Sequence, residues 1–347
     1  MSILAGVRHG VTTGAPVALR IGNSEWPKWE TVMSADPVDP SALLIDAGTG
    51  DEREIARNRP LTRPRPGHAD LPGMLSYDLA EARPVLERAS ARETAARVAL
   101  GVLAEALLDQ VAGVGLVSHV VSVGGQRATA SVLPTPADEA ALCEASMRAL
   151  DPADNARFEA AVDAAKHAGD TIGGVAEVIA YGVPVGLGTH VSARERLDAR
   201  LAAALMSIQS VKGVEIGDGF AQAALLGSQA HDEIVHGPDG HLTRTSNHAG
   251  GIEGGTSNGS PIIARAAFKP ISTVPRALRS VDLATGEEAV GLHQRSDTCQ
   301  VVPGAVIAEA EVALVLADAL FEHAGGRSVK EMRRNLEAYL SVVGERA

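Results

Sequence analysis

Apolar residues recur at helical or strand spacing along most of the chain, and this pattern predicts a mixture of helices and strands. The order Ser90-Ala91-Arg92-Glu93 is that of a capping box, so a helix is predicted to begin there. Its expected buried face consists of residues at helical spacing: Ala95, Val98, Val102, Ala106 and Leu107. The same periodicities predict helices over 154–168, 194–209 and 303–323 and strands over 175–181, 211–216 and 262–268.

The stretch Val114 to Val123 alternates as a strand. One side is predicted to carry Val114, Leu116, Ser118, Val120 and Ser122, and the other Val117, His119, Val121 and Val123. Residues 124–152 are weakly patterned and are expected to be peripheral. Residues 23–72 are expected to be mostly loop, and within them 41–55 is predicted to be a surface insertion.

Length and charge limit the classes of protein that the chain can belong to. The 347 residues suffice for one large domain or two ordinary ones. The net charge of −12 excludes a general nucleic-acid binder, which would show a basic face. Cys143 and Cys299 belong to no C-x-x-C pair, so neither a disulfide framework nor a zinc site is implied, which fits a reducing cytoplasm. The apolar run 301–320 is interrupted by acidic residues and predicts a buried helix rather than a membrane span.

Two segments have the chemistry of an anion site. The first is the densest basic segment, which ends at a predicted helix start where free N–H groups and guanidinium groups converge. Its basic residues before the helix are Arg53, Arg57, Arg59, Arg63, Arg65 and His68, and Arg88 and Arg92 lie at the helix start. The second, Lys269 to Thr273, places a cation and two hydroxyls on a turn, which suits a phosphate. For both segments a solvated surface loop remains the alternative.

Several catalytic signatures are absent from the sequence. It contains no G-x-x-x-x-G-K-[ST] and no H-E-x-x-H. Gly255 to Gly259 matches G-x-S-x-G, so a serine hydrolase using Ser257 is an alternative. That motif requires a strand before the serine and a helix after it, whereas Pro261 and a strand pattern follow here.

Five motifs resemble those of the chorismate synthase family, in the family's order. They are R-P-G-H-A-D at 65–70, R-A-S-A-R-E-T at 88–94, G-G-T-S-N-G at 254–259, K-P-I-S-T at 269–273 and R-S-D at 295–297. The likeness runs from about Gly6 to the C-terminal helix. The R-H-G at Arg8 to Gly10 and the stretch N-S-E-W-P-K-W resemble the actinobacterial branch.

The resemblance implies a fold and an activity. The expected fold is α+β, a βαβ sandwich with a helical layer between antiparallel sheets, here a single domain over 1–347 that is N-terminally truncated. The expected reaction is the anti-1,4-elimination of phosphate from 5-enolpyruvylshikimate 3-phosphate to give chorismate, with reduced FMN as cofactor and NADPH serving only indirectly to reduce it. A cytoplasmic homotetramer that binds neither nucleic acid nor membrane is implied.

The resemblance also implies roles for individual residues. His68 corresponds to a histidine beside the flavin, Asp297 to the proton relay at flavin N5, and Arg65 and Arg92 to substrate-anchoring arginines. Arg295 is implied to touch both flavin and substrate. The implied FMN contacts are Arg88, Ala89, Ser90, Gln209, Ser210, Gly254, Lys269, Pro270, Ile271, Ser272, Thr273 and Arg295.

The sequence departs from the family at its start. The family's general acid is a histidine in a G-E-S-H-G motif that this sequence lacks, and His9 lies in a different context. Met1 to Gly6 align about 50 residues inside a normal member. Two hypotheses follow: a truncated form of an active enzyme, or a shortened, catalytically impaired homologue that binds FMN. The first is favoured because the other site motifs are intact.

Overall fold

The computed structural model describes residues 1–43, 58–129, 132–238, 240–291 and 297–344. Its α-helices are α1 (Trp26–Trp29), α2 (Asp70–Tyr77), α3 (Arg83–Arg88), α4 (Thr94–Ala112), α5 (Glu139–Glu144), α6 (Pro152–His167), α7 (Leu197–Met206), α8 (Gly227–Ala230), α9 (Val301–Ala324) and α10 (Val329–Gly344). Its strands are β1 (Ser2–Ala5), β2 (Val7–Arg8), β3 (Val11–Thr12), β4 (Ala18–Arg20), β5 (Gly115–Val123), β6 (Gln126–Arg127), β7 (Gly174–Tyr181), β8 (Val211–Ile216), β9 (Ile234–His236), β10 (Leu242–Arg244), β11 (Ile252–Glu253), β12 (Thr256–Ser257), β13 (Ile262–Phe268), β14 (Arg279–Val281) and β15 (Glu288–Val290). Short 3-10 turns occupy Pro40–Leu43, Ala91–Glu93, Pro136–Asp138 and Gln222–Ala224.

The chain forms two compact units. The first comprises Met1–Ser90 and Arg276–Arg295, and the second comprises Ala91–Pro275 and Ser296–Ala347. The first contains short strands, helices α1 to α3 and the β14–β15 hairpin, with a small core of Leu61, Met74 and Ala82. The prediction of a single domain over 1–347 stays a prediction.

The second unit is built on a five-stranded antiparallel sheet of order β6-β5-β7-β13-β8. Helices α4, α7 and α9 contribute buried residues to the same core as this sheet, and Leu197, Leu201 and Leu205 of α7 are fully buried. The predicted α+β class is confirmed. The remaining strands of the described residues pair in twos: β1–β4, β2–β3, β9–β10, β11–β12 and β14–β15.

The predicted alternation of β5 is correct only as far as Val120. A β-bulge follows, because Val120 pairs with Ala176 while Ser122 pairs with Val175. One residue is therefore left without an opposite partner, and every later side chain changes face. As a result Val123 is fully buried in the same core as Val120, contrary to the sequence prediction.

The predicted buried face of α4 is wrong. Three of its five residues, Ala95, Val102 and Ala106, are exposed. The residues that are buried in its place are Thr94, Gly101, Ala104, Leu108 and Val111. The reason is the close approach of α9: a Cβ on Gly101 would lie 2.4 Å from the Cβ of Ala310. Because glycine has no Cβ, α4 and α9 can approach closely at Gly101, whereas a valine at this position would clash with Ala310.

The segment 124–152 was predicted to be peripheral, and most of its described residues are exposed, but Leu142 and Met147 to Ala149 are buried. Arg148 is 3% exposed and has a backbone φ of +50°, which residues other than glycine rarely adopt. Its guanidinium group donates to both carboxylate oxygens of Glu139 (2.9 and 2.7 Å), to Glu309 of α9 (3.3 Å) and to the Ser118 carbonyl (2.9 Å). A buried charge must be paired in this way, and the pairing draws the segment into the core.

Two further predictions concern the N-terminal part. Most of the predicted insertion, 41–55, lies outside the described residues, and its start falls in the 3-10 turn Pro40–Leu43. The described parts of 23–72 are mostly irregular, apart from α1 and the start of α2 at Asp70. Across the described ranges, every helix is too short or too polar to cross a membrane.

Candidate active site

In the first unit, the R-P-G-H-A-D motif forms a tight turn that leads into α2. Gly67 supports the turn with φ +74°, which glycine adopts without strain. Asp70 is the first residue of α2 and is completely buried. Its carboxylate accepts from the Arg65 backbone N–H (3.0 Å), from Arg65 Nε (2.8 Å) and Nη2 (3.1 Å), and from His68 Nδ1 (2.6 Å). One carboxylate therefore organises both of the predicted functional side chains of the motif.

These contacts determine the charge of the cluster. Burial opposes ionisation of Asp70, but the hydrogen bonds from His68 and Arg65 outweigh it and hold the pKa of the Asp70 carboxyl well below its usual range. Because the ionised carboxylate only accepts, Nδ1 of His68 carries the proton in that bond. Nη2 of Arg65 lies 3.1 and 3.3 Å from the two ring nitrogens of His68. Arg65 is 8% exposed, so its charge is engaged with Asp70 inside the unit.

The predicted FMN triplet lies at the end of the first unit. Arg88 occupies the last turn of α3 and is exposed, and Ala89 is the residue that caps this helix. The N–H of Ser90 donates to the carbonyl of Glu87 at 3.4 Å. The guanidinium group of Arg88 thus lies on the surface of this unit, where an anionic ligand can reach it.

The second unit begins with the predicted helix start. Residues Ala91–Glu93 form a 3-10 turn, the α-helix proper starts at Thr94, and the Thr94 hydroxyl donates to the Ala91 carbonyl at 2.6 Å. Arg92 is exposed on this turn. The Glu93 carboxylate makes no cap bond to α4 but accepts from Arg97 Nη2 and from Gln209 Nε2, both at 2.7 Å.

Two predicted cofactor segments meet directly in the second unit. Ser210 adopts φ +71°, and its carbonyl accepts from the backbone N–H of Lys269 at 2.9 Å. The Lys269 ammonium group donates to the Ser272 hydroxyl at 2.9 Å. Burial, with the nearby charge of Lys212 as a second cause, lowers the pKa of Lys269. Gln209-Ser210 and the Lys269–Thr273 turn therefore form one locus of a cation, hydroxyls and an amide.

The segment that precedes α9 joins the same locus. Gln300 Nε2 donates to the Lys269 carbonyl at 3.3 Å, and the Ile172 N–H donates to the Thr298 carbonyl at 2.9 Å. The Thr171 hydroxyl donates to the Ile271 carbonyl at 2.8 Å, which ties the strand start of β7 to the turn. Asp297 is exposed immediately before this segment. Arg295 lies outside the described residues.

Gly254 lies in the glycine-rich run between β11 and β12. It has φ +60° and is exposed, and a Cβ there would meet only His190 within 4 Å among the described residues. Its backbone is therefore accessible to a ligand. Among the described residues, no hydrogen bond joins Gly254 to the Lys269–Thr273 turn.

The comparison with known proteins decides the family. The family model described as chorismate synthase matches residues 1–321. The chain belongs to the chorismate synthase family. The chorismate synthase of Beutenbergia cavernae is 60% identical over 344 residues, which are 99% of this chain and 85% of that protein. That of Mycobacteroides abscessus is 57% identical over 346 residues, which are 100% of this chain and 82% of that protein.

A solved structure agrees with this family. The crystal structure of a chorismate synthase aligns with a TM-score of 0.75 at 35% identity, and the alignment covers 99% of this chain and 84% of that one. The fold that the sequence motifs implied is therefore confirmed. The comparisons give no support to the alternatives of an impaired truncated homologue or a serine hydrolase.

The geometry of Ser257 explains why the serine hydrolase alternative fails. Ser257 lies in the glycine-rich run and is only 2% exposed. Its hydroxyl donates to the Pro184 carbonyl at 2.6 Å and accepts from the Leu187 N–H at 2.8 Å. Both bonds are to backbone groups, so the hydroxyl links β12 to the loop that contains Pro184 and Leu187 and is not activated by a base.

Sequence reasoning assigned no role to Asp70 or to Arg97. Asp70 belongs to the R-P-G-H-A-D motif and follows His68 by two residues, and this spacing indicates a partner for the imidazole. Glu93 and Arg97 have the i,i+4 spacing of a helical ion pair, which is a second readable signal. The bond from Glu93 to Gln209 spans 116 residues and has no local signal in the sequence.

The site formed by Gln209, Ser210 and the Lys269–Thr273 turn fits a phosphorylated cofactor that also carries hydrogen-bond donors. Gln209 Oε1 is buried and has no hydrogen-bond partner among the described residues. An oxygen buried in this way needs a donor, which a bound molecule can supply. Lys269 and Ser272 provide the charge and hydroxyl that a phosphate prefers.

Proposed function

We propose that the protein is a chorismate synthase that converts 5-enolpyruvylshikimate 3-phosphate to chorismate and phosphate. The membership of the family over residues 1–321 carries this proposal. The locus formed by Gln209, Ser210 and the Lys269–Thr273 turn supports it, because its cation, hydroxyls and open acceptor match a phosphorylated cofactor.

Reduced FMN is the proposed cofactor, and NADPH supplies electrons only indirectly, for reduction of the flavin. The reduced flavin supplies electron density that protein side chains lack for removing a hydrogen from an unactivated carbon while a C–O bond breaks. Lys269 and Ser272 would hold its phosphate, and Thr273 and the backbone of Pro270 and Ile271 would shape the turn. Gln209, Ser210 and Gly254 would contact the rest of the cofactor. The proposed roles of Arg88, Ala89 and Ser90 as FMN contacts rest on the R-A-S motif alone.

The substrate carries a phosphate and carboxylates, and exposed arginines would hold these anions. Arg92, which is exposed on the turn before α4, and Arg295 are proposed for this purpose. Arg65 would act mainly through Asp70 and His68, because its guanidinium group is engaged with that carboxylate. His68 would donate or accept a proton beside the cofactor, and Asp297 would carry the proton from the reacting carbon.

The first experiment measures turnover by the chain itself. Under anaerobic conditions with photoreduced FMN, we expect equal amounts of phosphate and chorismate from enolpyruvylshikimate phosphate. Binding of FMN without release of phosphate would contradict the proposed reaction.

A substitution tests the proposed phosphate contact. Lys269→Met is expected to raise the Kd for FMN at least tenfold, since a charge-assisted contact to phosphate is worth about 1.5–3 kcal/mol. Lys330→Met is the control, because Lys330 is exposed on α10. Equal FMN affinity of both variants would contradict the assignment of Lys269.

We further propose a cytoplasmic homotetramer. The apolar residues exposed on α4, including Val102 (57%) and Leu103 (38%), support burial of this helix in a larger assembly. Sedimentation equilibrium should give four times the mass of 35.7 kDa, and a monomer at micromolar concentration would contradict the proposal.

A further inference from the structure

The amide of Gln209 is held in one orientation by Glu93. Its Nε2 donates to Glu93 Oε1 at 2.7 Å. A carboxylate accepts hydrogen bonds and cannot donate them, so the amide must turn its NH2 group toward Glu93. Its carbonyl oxygen Oε1 is then turned away from Glu93, and it is buried without a partner among the described residues.

Glu93 is itself held by a neighbour on α4. Nη2 of Arg97 donates to the same Glu93 oxygen at 2.7 Å. Nη1 of Arg97 donates to Glu311 of α9 at 2.9 Å and to the Ser207 hydroxyl at 2.7 Å. Glu311 is only 8% exposed, so this end of the chain of contacts is anchored in the core. We call Glu311, Arg97, Glu93 and Gln209 the Glu93 relay.

The Glu93 relay is joined to the proposed cofactor site through Gln209. Gln209 precedes Ser210, whose carbonyl accepts from the N–H of Lys269 in the proposed phosphate-holding turn. At its other side, Glu93 follows Arg92, a proposed substrate contact. Within the described residues, the only polar atom of the relay that is buried and unsatisfied is therefore Oε1 of Gln209, the residue next to Ser210 of the proposed cofactor site.

We propose that Glu93 and Arg97 are positioning residues that present Gln209 Oε1 as a hydrogen-bond acceptor to the cofactor. The site would then select a ligand that offers an N–H or O–H donor at this point, a chemistry that a flavin imide and a ribityl hydroxyl share. The inference rests on the proposed function, because that function supplies the flavin. It adds Glu93, Arg97 and Glu311 to the residues on which cofactor affinity depends.

The test is the isosteric variant Glu93→Gln. The variant loses the charge that strengthens the bond from Gln209 Nε2, and its own NH2 group can donate to Gln209 Oε1, so the orientation of the Gln209 amide is no longer fixed. We expect the Kd for oxidised FMN, measured by quenching of flavin fluorescence, to rise about tenfold. Glu322→Gln is the matched control: it removes another carboxylate that pairs with an arginine, Arg200, at 2.6 Å, and FMN affinity should not change.

An exchange of the two side chains separates positioning from general structural support. In the double variant Glu93→Gln with Gln209→Glu, an amide again donates to a carboxylate, and the second carboxylate oxygen again faces the ligand. We expect this variant to bind FMN more tightly than either single variant, as a double-mutant cycle would reveal. A merely structural role predicts that the two changes add.

An FMN Kd of Glu93→Gln within twofold of the unsubstituted chain, or a double variant no better than the singles, would overturn the relay. If the unsubstituted chain binds FMN but does not turn over substrate, the proposed reaction fails while the relay is still judged by its Kd values. A chain that binds no FMN would overturn both.

Discussion

Replacement of Asp70 by asparagine tests the central contact of the first unit. Asp70 is completely buried and accepts from Arg65 and His68, so Asp70→Asn removes the charge that the Arg65 guanidinium group, 8% exposed, pairs with at 2.8 Å. Removal of one partner of a buried ion pair costs about 3–5 kcal/mol. We therefore expect the melting temperature of the chain to fall by several degrees.

Circular dichroism or calorimetry would measure this loss, with Asp78→Asn as the control. Asp78 is exposed at the end of α2 with φ +52°, a conformation that asparagine also accepts. The second variant, Asp70→Asn with Arg65→Met, removes both charges and should recover much of the stability, because no uncompensated charge remains. Equal melting temperatures of Asp70→Asn and Asp78→Asn would refute the reasoning.

The same pair predicts a dependence on pH. The pKa of Asp70 in the folded state lies below its ordinary value of 3.8, so the stabilisation is complete above 3.8 and is lost as the pH falls through the lowered pKa. The difference between the unsubstituted chain and Asp70→Asn should therefore shrink in strong acid. A difference that grows with acidification would contradict the assigned direction.

Three further predictions concern stability. Burial, and next the charges of Glu309 and Glu139, raise the pKa of Glu105 from 4.5 to about 7, so the stability of the chain should fall as the pH rises between these values. In urea unfolding, Glu105→Gln should be about 1–2 kcal/mol more stable than the unsubstituted chain at pH 8, after allowance for the partial exposure of Glu105. The two should differ little at pH 4. Gly101→Val places atoms against Ala310 and should cost about 1–3 kcal/mol in the same assay, whereas an unchanged urea midpoint would count against close packing of α4 on α9. Ser257→Ala should cost about 1–3 kcal/mol by leaving a backbone N–H and carbonyl unsatisfied, while kcat per folded molecule should stay the same; a loss of kcat without a loss of stability would argue for a catalytic serine.

Periodicity in the sequence was sufficient for several elements of the second unit. The strands β8 and β13 occupy the predicted ranges 211–216 and 262–268, because short apolar runs between turn residues specify buried strands. Periodicity was not sufficient for α4, which carries apolar residues around much of its circumference. Where several faces could be buried, the packing partner decides, and Gly101 beside Ala310 shows that α9 is that partner.

For the candidate site, too, the sequence predicted some features and the tertiary structure decided others. The motifs indicated the residue types and the class of ligand, since cations, hydroxyls and an imidazole can be read from the order of residues alone. The sequence by itself thus determined the family and four of the five strands of the central sheet, all except β6. The bulge in β5 and the contacts Glu93–Gln209 and Arg97–Glu311, which span 116 and 214 residues, were decided only by the tertiary structure. The physical reason is that a buried polar group must find its partner wherever the packed layers bring one, and sequence spacing does not record that distance.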